Sequence, residues 1–282
     1  MPAGQPVVLT IAGFDPTSGA GVTADIKTIA AHGCYGVACI SALTVQTTSG
    51  VQRVEAVQGA LVRDTLRELA SDVAISAVRI GMLANAEVVE AVAEFLQSAR
   101  PPNLVLDPIM VSSSGATLLD QPGVERLTGL LLPLANVVTP NIDEAAALTR
   151  LPVTNLEQMK AAAHKLHDMG AQNVVITGGH LPRALDLLSM ASPGAAPEQL
   201  EIVSDRLRAT STHGTGCAFA TAVAANLALG RQLRYAIVLA KAYVTKAIAG
   251  AYPIGKGASP VHHFYRMDEQ PRPTPEVPEP HK

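Results

Sequence analysis

Five short runs rich in β-branched residues recur along the chain: VVLTIA at 7–12, VRIGML at 78–83, LVLD at 104–107, NVVT at 136–139 and VVIT at 174–177. Stretches with helical spacing separate them. Strands that alternate with helices need crossover connections, and crossovers build a largely parallel sheet covered on both faces. The chain is therefore expected to fold as an α/β protein. In GAGVTADIKTIAAHG, Val22, Ile26, Ile29 and Ala30 fall on one helical face and Gly33 closes it; Val88, Val92, Phe95 and Leu96 form another such face. GVACISA and VQRVEAV read as strands flanking a polar loop, LTVQTTSG. ALDLLSM and LEIVSDRLR read as an antiparallel hairpin turned at ASPGAAP. No internal repeat or interdomain linker interrupts residues 1–267, which are expected to form one domain. The tail at 268–282 is rich in proline, without apolar periodicity, and is expected to be disordered.

Parallel sheets gather ligands at the carboxyl ends of their strands. The site loops should then be Gly13–Asp15, Gly81–Leu83, Asp107–Met110, Thr139–Glu144 and Thr177–His180. Composition removes several function classes. A net charge of −3, no Trp and four Phe leave neither a basic stripe nor an aromatic platform for nucleic acid. No apolar run is long enough to cross a bilayer, and the first residues lack the basic start of a signal peptide. Cys34, Cys39 and Cys217 are neither paired nor at metal spacing, so reduced thiols in a soluble cytoplasmic protein are expected. A P-loop, a zinc-protease helix motif and a G-x-S-x-G elbow are all absent.

The stretch ATSTHGTGCAFATAVAANLALG at 209–230 places Gly214, Thr215 and Gly216 ahead of Cys217, where an Ala-rich helix begins. Phe219, Val223 and Leu227 recur along it and Gly230 reads as its stop. Glycine at a helix start leaves backbone N–H groups reachable, and the macrodipole adds positive character, so an anion fits there and a thiol should ionise more easily. Asp107 ends a strand, locked by Pro108. Asn141 and Glu144 have capping-box spacing, which is compatible with a carboxylate beside hydrated Mg²⁺. Gln46, among small polar residues, offers a primary amide that matches the edge of a nitrogen heterocycle. The His262–His263 doublet does not match common ligand spacings.

LTIAGFDPTSGAGVTADIKT, TVQTTSGVQ, IGML, VLDPIMVSSSG, VTPNIDEAAALT, GGHL, THGTGC and PVHHF follow one another along Val7–Phe264. That series resembles the hydroxymethylpyrimidine/phosphomethylpyrimidine kinases of thiamine synthesis, members of the ribokinase-like superfamily. The resemblance implies a three-layer αβα sandwich with a mostly parallel central sheet and a small β lid from strands at about 36–57. It implies Gln46, Gly13, Asp25 and Met82 as substrate contacts, with Thr44 where relatives carry a small apolar residue. GTGC resembles the superfamily's anion hole, with Cys217 where many sugar kinases carry an Asp that acts as base. ATP with Mg²⁺ is then the expected donor, with Asp107 and Glu144 near the metal and Asn141, Thr177, Gly179 and Lys256 toward the nucleotide. Relatives commonly carry Lys where this chain has Thr177 and Ser113, and Lys256 stands where they often show His. The implied reaction phosphorylates 4-amino-5-hydroxymethyl-2-methylpyrimidine and then its monophosphate. A small-molecule substrate, a homodimer and no nucleic-acid or membrane partner complete the expectation. Pyridoxal kinase and a non-catalytic pyrimidine-binding protein are the alternatives.

Overall fold

A computed structural model describes residues 4–179, 185–192, 194–203 and 213–268. The elements run β1 (Val7–Phe14), α1 (Gly21–Ala31), β2 (Tyr35–Thr47), β3 (Gly50–Ala56), α2 (Gly59–Asp72), β4 (Ile75–Ile80), α3 (Ala86–Ala99) and β5 (Leu104–Leu106). They continue with α4 (Gln121–Arg126), β6 (Val137–Val138), α5 (Ile142–Thr149), α6 (Leu156–Asp168), β7 (Asn173–Gly178), β8 (Leu185–Ser192), β9 (Ala195–Val203), α7 (Thr215–Ala228), α8 (Leu233–Ala249) and α9 (Tyr265–Asp268). Among the described residues, nine strands join one sheet in the order β3-β2-β1-β4-β5-β6-β7-β8-β9. β2, β1, β4, β5, β6 and β7 pair in parallel, while β3, β8 and β9 are antiparallel additions at the two edges.

Strand alternation sorts the core into two layers. Leu9, Ile11, Val78, Ile80, Leu104 and Leu106 pack with α2, α3, α5 and α6 on one face. Val8, Ala77, Val105 and Val137 pack with α1, α7 and α8 on the other. This is the expected αβα sandwich. Order reverses at β1, whose neighbours β2 and β4 lie on opposite sides, so a crevice opens beyond the carboxyl ends of β1 and β4.

Three expectations change. LTVQT is not a loop: β2 runs unbroken to Thr47, and only Thr48–Ser49 separates it from β3. Its alternating β-branched and polar residues form a ribbon with Leu43 and Val45 exposed and Thr44 and Gln46 half-buried. The lid is thus the overhanging end of the main sheet, since residues from Tyr35 to Leu43 pair with β1. In α1, the buried face contains Asp25 and Thr28, while Ala30 is exposed. Helix α7 is buried from Cys217 through Asn226 and so presents no single apolar stripe; it lies between the sheet, α1 and α8. The tail at 269–282, Thr212, His180 and the end of LEIVSDRLR lie outside the described residues.

Candidate active site

The floor of the crevice is built from side chains that share one parity. Thr10, Arg79 and Asp107 extend the same rows as Val8, Ala77 and Val105, and therefore face α1 and α7. Arg79, on a strand covered on both sides, is fully buried. One terminal nitrogen donates to Asp25 Oδ2 at 3.0 Å and the other to Asp107 Oδ2 at 2.6 Å. Asp25 also accepts from Thr10 Oγ1 at 2.6 Å and Thr221 Oγ1 at 2.7 Å. Burial opposes the Arg79 charge, but Asp25 and Asp107 beside it outweigh burial and keep the guanidinium charged. Gly81 is required here, because a Cβ on it would stand 2.0 Å from the Arg79 guanidinium.

Asp107 and Glu144 are carboxyls under strain from the same source. Burial raises Asp107 despite Arg79. Burial, and then the Asp107 charge, push Glu144 up to about 8. Glu144 Oε2 accepts from the Asn141 backbone N–H at 2.9 Å, and Asn141 Oδ1 returns bonds to the N–H groups of Asp143 and Glu144. The capping box thus fixes Glu144 over the crevice.

The anion-binding start of α7 forms as the glycine pattern requires. Gly214, with φ +78, is its N-cap and no side chain caps it. By contrast, α3, α4, α5 and α6 are capped by Asn85, Asp120, Asn141 and Asn155. A Cβ on Gly214 would collide with Gly19 O at 1.8 Å, whereas one on Gly216 would meet nothing within 4 Å. Gly216 therefore faces open space at a helix N-terminus. Cys217 overturns one expectation. Its thiol does not ionise easily: burial pushes it up to about 11, Arg79 offsets only part of that, and Asp107 and Asp25 add to the rise.

At the lid end, Asp15, His213, Gln46 and Thr44 form a connected chain. His213 Nε2 lies 2.8 Å from Asp15 Oδ2 and 3.3 Å from Gln46 Nε2. Thr44 Oγ1 is 3.3 Å from Gln46 Oε1 and donates to Phe14 O at 2.9 Å. Burial works against Asp15 ionisation, but bonds from His213 and Thr17 outweigh it and hold the carboxyl below its ordinary range. The hairpin turn is pinned by Lys256 and Gly257, whose N–H groups donate to Thr48 Oγ1 at 3.2 and 3.1 Å. Ser114 Oγ accepts from Val51 N at 3.3 Å on the other side.

These parts surround one cavity of about 670 Å³. Gly13, Thr44, Gln46 and Met82 line its lid end; Gly214, Thr215, Gly216 and Cys217 line its centre. Asp107, Asn141, Glu144, Thr177 and Lys256 also border it. Two expected residues do not. Asp25 is buried beneath the floor, where Thr10, Arg79 and Thr221 occupy its oxygens. Gly179 is exposed past the end of β7 and away from the lining. Sequence reasoning missed Arg79 and His213, and gave Asp15 no role beyond its loop. A charged residue inside AVRI, on a strand buried on both faces, was the available signal for Arg79. Among the described residues, no three His, Cys, Asp or Glu side chains converge as a metal-binding group.

A family model described as phosphomethylpyrimidine kinase matches residues 15–262. The chain is 44% identical over 262 residues to the thiamine biosynthesis bifunctional protein ThiED of Geobacter sulfurreducens. That match covers 93% of this chain, which spans 53% of that longer relative. It is 40% identical to the hydroxymethylpyrimidine/phosphomethylpyrimidine kinase of Haemophilus influenzae, covering 91% of this chain and 96% of that one. Among solved structures, the ADP complex of Bacillus subtilis pyridoxal kinase superposes with a TM-score of 0.83 at 32% identity, covering 94% of this chain and all of that one.

Proposed function

The chain belongs to the phosphomethylpyrimidine kinase family, and from that membership we propose that its cavity passes a phosphoryl group from ATP to 4-amino-5-hydroxymethyl-2-methylpyrimidine and then to the resulting monophosphate. The sequence relatives carry the name of the pyrimidine reaction, and that reading stands over pyridoxal kinase and over a silent binding protein. One observation carries the mechanism: an amide suited to a heterocycle, an uncapped helix start and a pair of buried carboxyls border the same cavity.

Gln46 orients the ring at the lid end, with Gly13 and Met82 beside it. Gly13 stays small because a Cβ would press within 2.9 Å of the Met82 sulfur. At the centre, the backbone of Gly216 and Cys217 offers N–H groups to the anionic oxygens of the group in transit. Bound Mg·ATP would supply the transferable phosphoryl group and positive charge to offset its phosphates. Asp107 and Glu144 fit such a cation, since both carboxyls are raised by burial and Glu144 further by its neighbour, and each would be relieved by positive charge. Asn141, Thr177 and Lys256 border the side left for the nucleotide. Phosphoryl transfer through a loose transition state needs little proton removal in advance. The substrate hydroxyl can therefore attack while Cys217 Sγ keeps its own proton: the new O–P bond forms as the bond to ADP breaks, ADP leaves with that electron pair, and the hydroxyl proton passes to an oxygen of the transferred phosphoryl group.

The test is an assay with pyrimidine alcohol and Mg·ATP that identifies mono- and diphosphate products. Wild type should yield both in succession. Gly216→Val fits the fold, because its Cβ points into open space, yet it obstructs the anion cradle. Turnover should fall about 10²–10³-fold with the melting temperature preserved. Full activity in that variant would remove the cradle from the mechanism. We also place the protein in the cytoplasm, supported by three unpaired, buried cysteines, and as a homodimer, as the sequence resemblance implies. Cell fractionation and light scattering check these two points.

A further inference from the structure

The lid-end chain contains a conflict that only one arrangement of hydrogens resolves. Asp15 is ionised, and its Oδ2 lies 2.8 Å from His213 Nε2, so that nitrogen must carry a hydrogen and donate it. An Nε2 lone pair there would face a carboxylate. A donating Nε2 cannot also accept from the amide NH₂ of Gln46, 3.3 Å away. The same holds at the other end, where the single Thr44 hydroxyl hydrogen goes to Phe14 O at 2.9 Å and leaves only a lone pair toward Gln46. Both neighbours therefore ask for the opposite setting of the amide, with Oε1 toward His213 and NH₂ toward Thr44. Oxygen and nitrogen occupy equivalent positions in an amide, so the network decides between them.

The geometry points to Asp15 and His213 as positioning residues that fix the direction of the Gln46 amide and thereby select the donor–acceptor order of the substrate edge. With Oε1 taking the longer arm of the single His213 Nε2–H that Asp15 shares, and one amide N–H on Thr44, the amide has one acceptor and one donor left, in a set order. That edge complements a ring nitrogen beside an exocyclic amino group. It opposes a ring N–H beside a carbonyl, which presents the reverse order. The fold reserves space for this device. A Cβ on Gly19 would stand 2.4 Å from the His213 ring, and Gly214 follows His213 in a left-handed turn against Gly19 O. Asp15 itself is immobilised by Thr17 N–H at 2.8 Å, Thr17 Oγ1 at 2.9 Å and Ala20 N–H at 3.0 Å.

The inference rests on the pyrimidine reading above, and its test separates the two. Binding and steady-state kinetics are measured with 4-amino-5-hydroxymethyl-2-methylpyrimidine and with its 4-oxo counterpart. Wild type should prefer the amino compound. His213→Leu, which frees the amide to turn, should lower that preference by roughly tenfold, the size of one hydrogen bond. The loss should appear mainly in KM, with kcat changed less. His213→Gln, which retains a donor toward Asp15, should restore the preference. An unchanged preference in folded His213→Leu overturns the positioning role. Should that variant fail to fold, the ¹⁵N imidazole spectrum of wild type decides: protonated Nε2 supports the assignment and an Nε2 lone pair overturns it. A wild type that binds neither pyrimidine defeats the functional reading instead, whatever the tautomer.

Discussion

The two ends of the cavity solve opposite physical problems. The floor, Asp25–Arg79–Asp107 with Glu144 above it, is a cluster of buried ionisable groups centred on fully buried Arg79. The lid end links Asp15, buried on the β1–α1 turn, through His213 to the half-buried Thr44 and Gln46 on the two-stranded ribbon. Enclosure makes every charge depend on its partner, because an ion left alone in low dielectric has no water to fall back on. The ribbon end can exchange a lost bond for solvent at modest cost. Errors in the floor should therefore appear as lost stability, and errors at the lid as lost selectivity.

The sharpest way to break that contrast is Arg79→Met, which leaves Asp25 and Asp107 buried without their counter-ion. We expect a loss of about 3–5 kcal/mol, read from the urea midpoint at constant slope. Turnover should fall with it, since Asp107 loses the group that orients it. A variant as stable as wild type would show that the floor is solvated and that the two ends are alike.

A smaller effect follows from Glu144. Its folded pKa of about 8 lies above the ordinary value of 4.5, so the native state holds a proton that the unfolded chain releases. Such a group contributes stability at low pH that is lost as pH rises through 8. The buried histidines His32 and His263, both held low chiefly by burial, act in the opposite sense below their ordinary 6.5. Above pH 6.5 those histidines no longer act, so between 6.5 and 8 the melting temperature of ligand-free protein should decline, with the raised Asp107 acting in the same sense as Glu144. Glu144→Gln should flatten that decline. Equal slopes in the two proteins would mean that burial and Asp107 do not raise Glu144.

Much of the fold could be read from the chain because parallel strands and their helices advertise themselves by period. The hairpin of β8 and β9, the capping box at Asn141 and the glycine start of α7 were all visible as local patterns. The buried polar network was not. Hydrophobic periodicity assigns a face by counting apolar residues, so it chose Ile26 and Ala30 in α1 and passed over Asp25 and Thr28, which the fold encloses. Their partners Arg79 and Thr221 lie far along the sequence, and no spacing rule connects them. Gln46 looked like loop because polar residues alternate with β-branched ones in a ribbon whose inward face meets a cavity in place of a core. His213 had no signal of its own, since its role depends on Asp15, brought to it by the β1–α1 turn.

Cys217 gives the smallest expected change and the finest test of the comparison, because it lies where the floor meets the cradle. Its Sγ accepts from the Gly21 N–H and sits beside Arg79, both of which favour a thiolate, yet burial and the two carboxylates prevail and leave a thiol near 11. A group with so little thiolate at neutral pH is a poor proton acceptor before transfer. Cys217→Ala should therefore keep kcat within about tenfold of wild type, below the 10²–10⁴ expected on removing a working general base. Its pH–rate profile should keep the wild-type shape between 6 and 9. A drop beyond a hundredfold in a folded variant would mean that the bound substrate reorganises the floor enough to ionise the thiol, and the floor would then perform proton chemistry as well as hold charge.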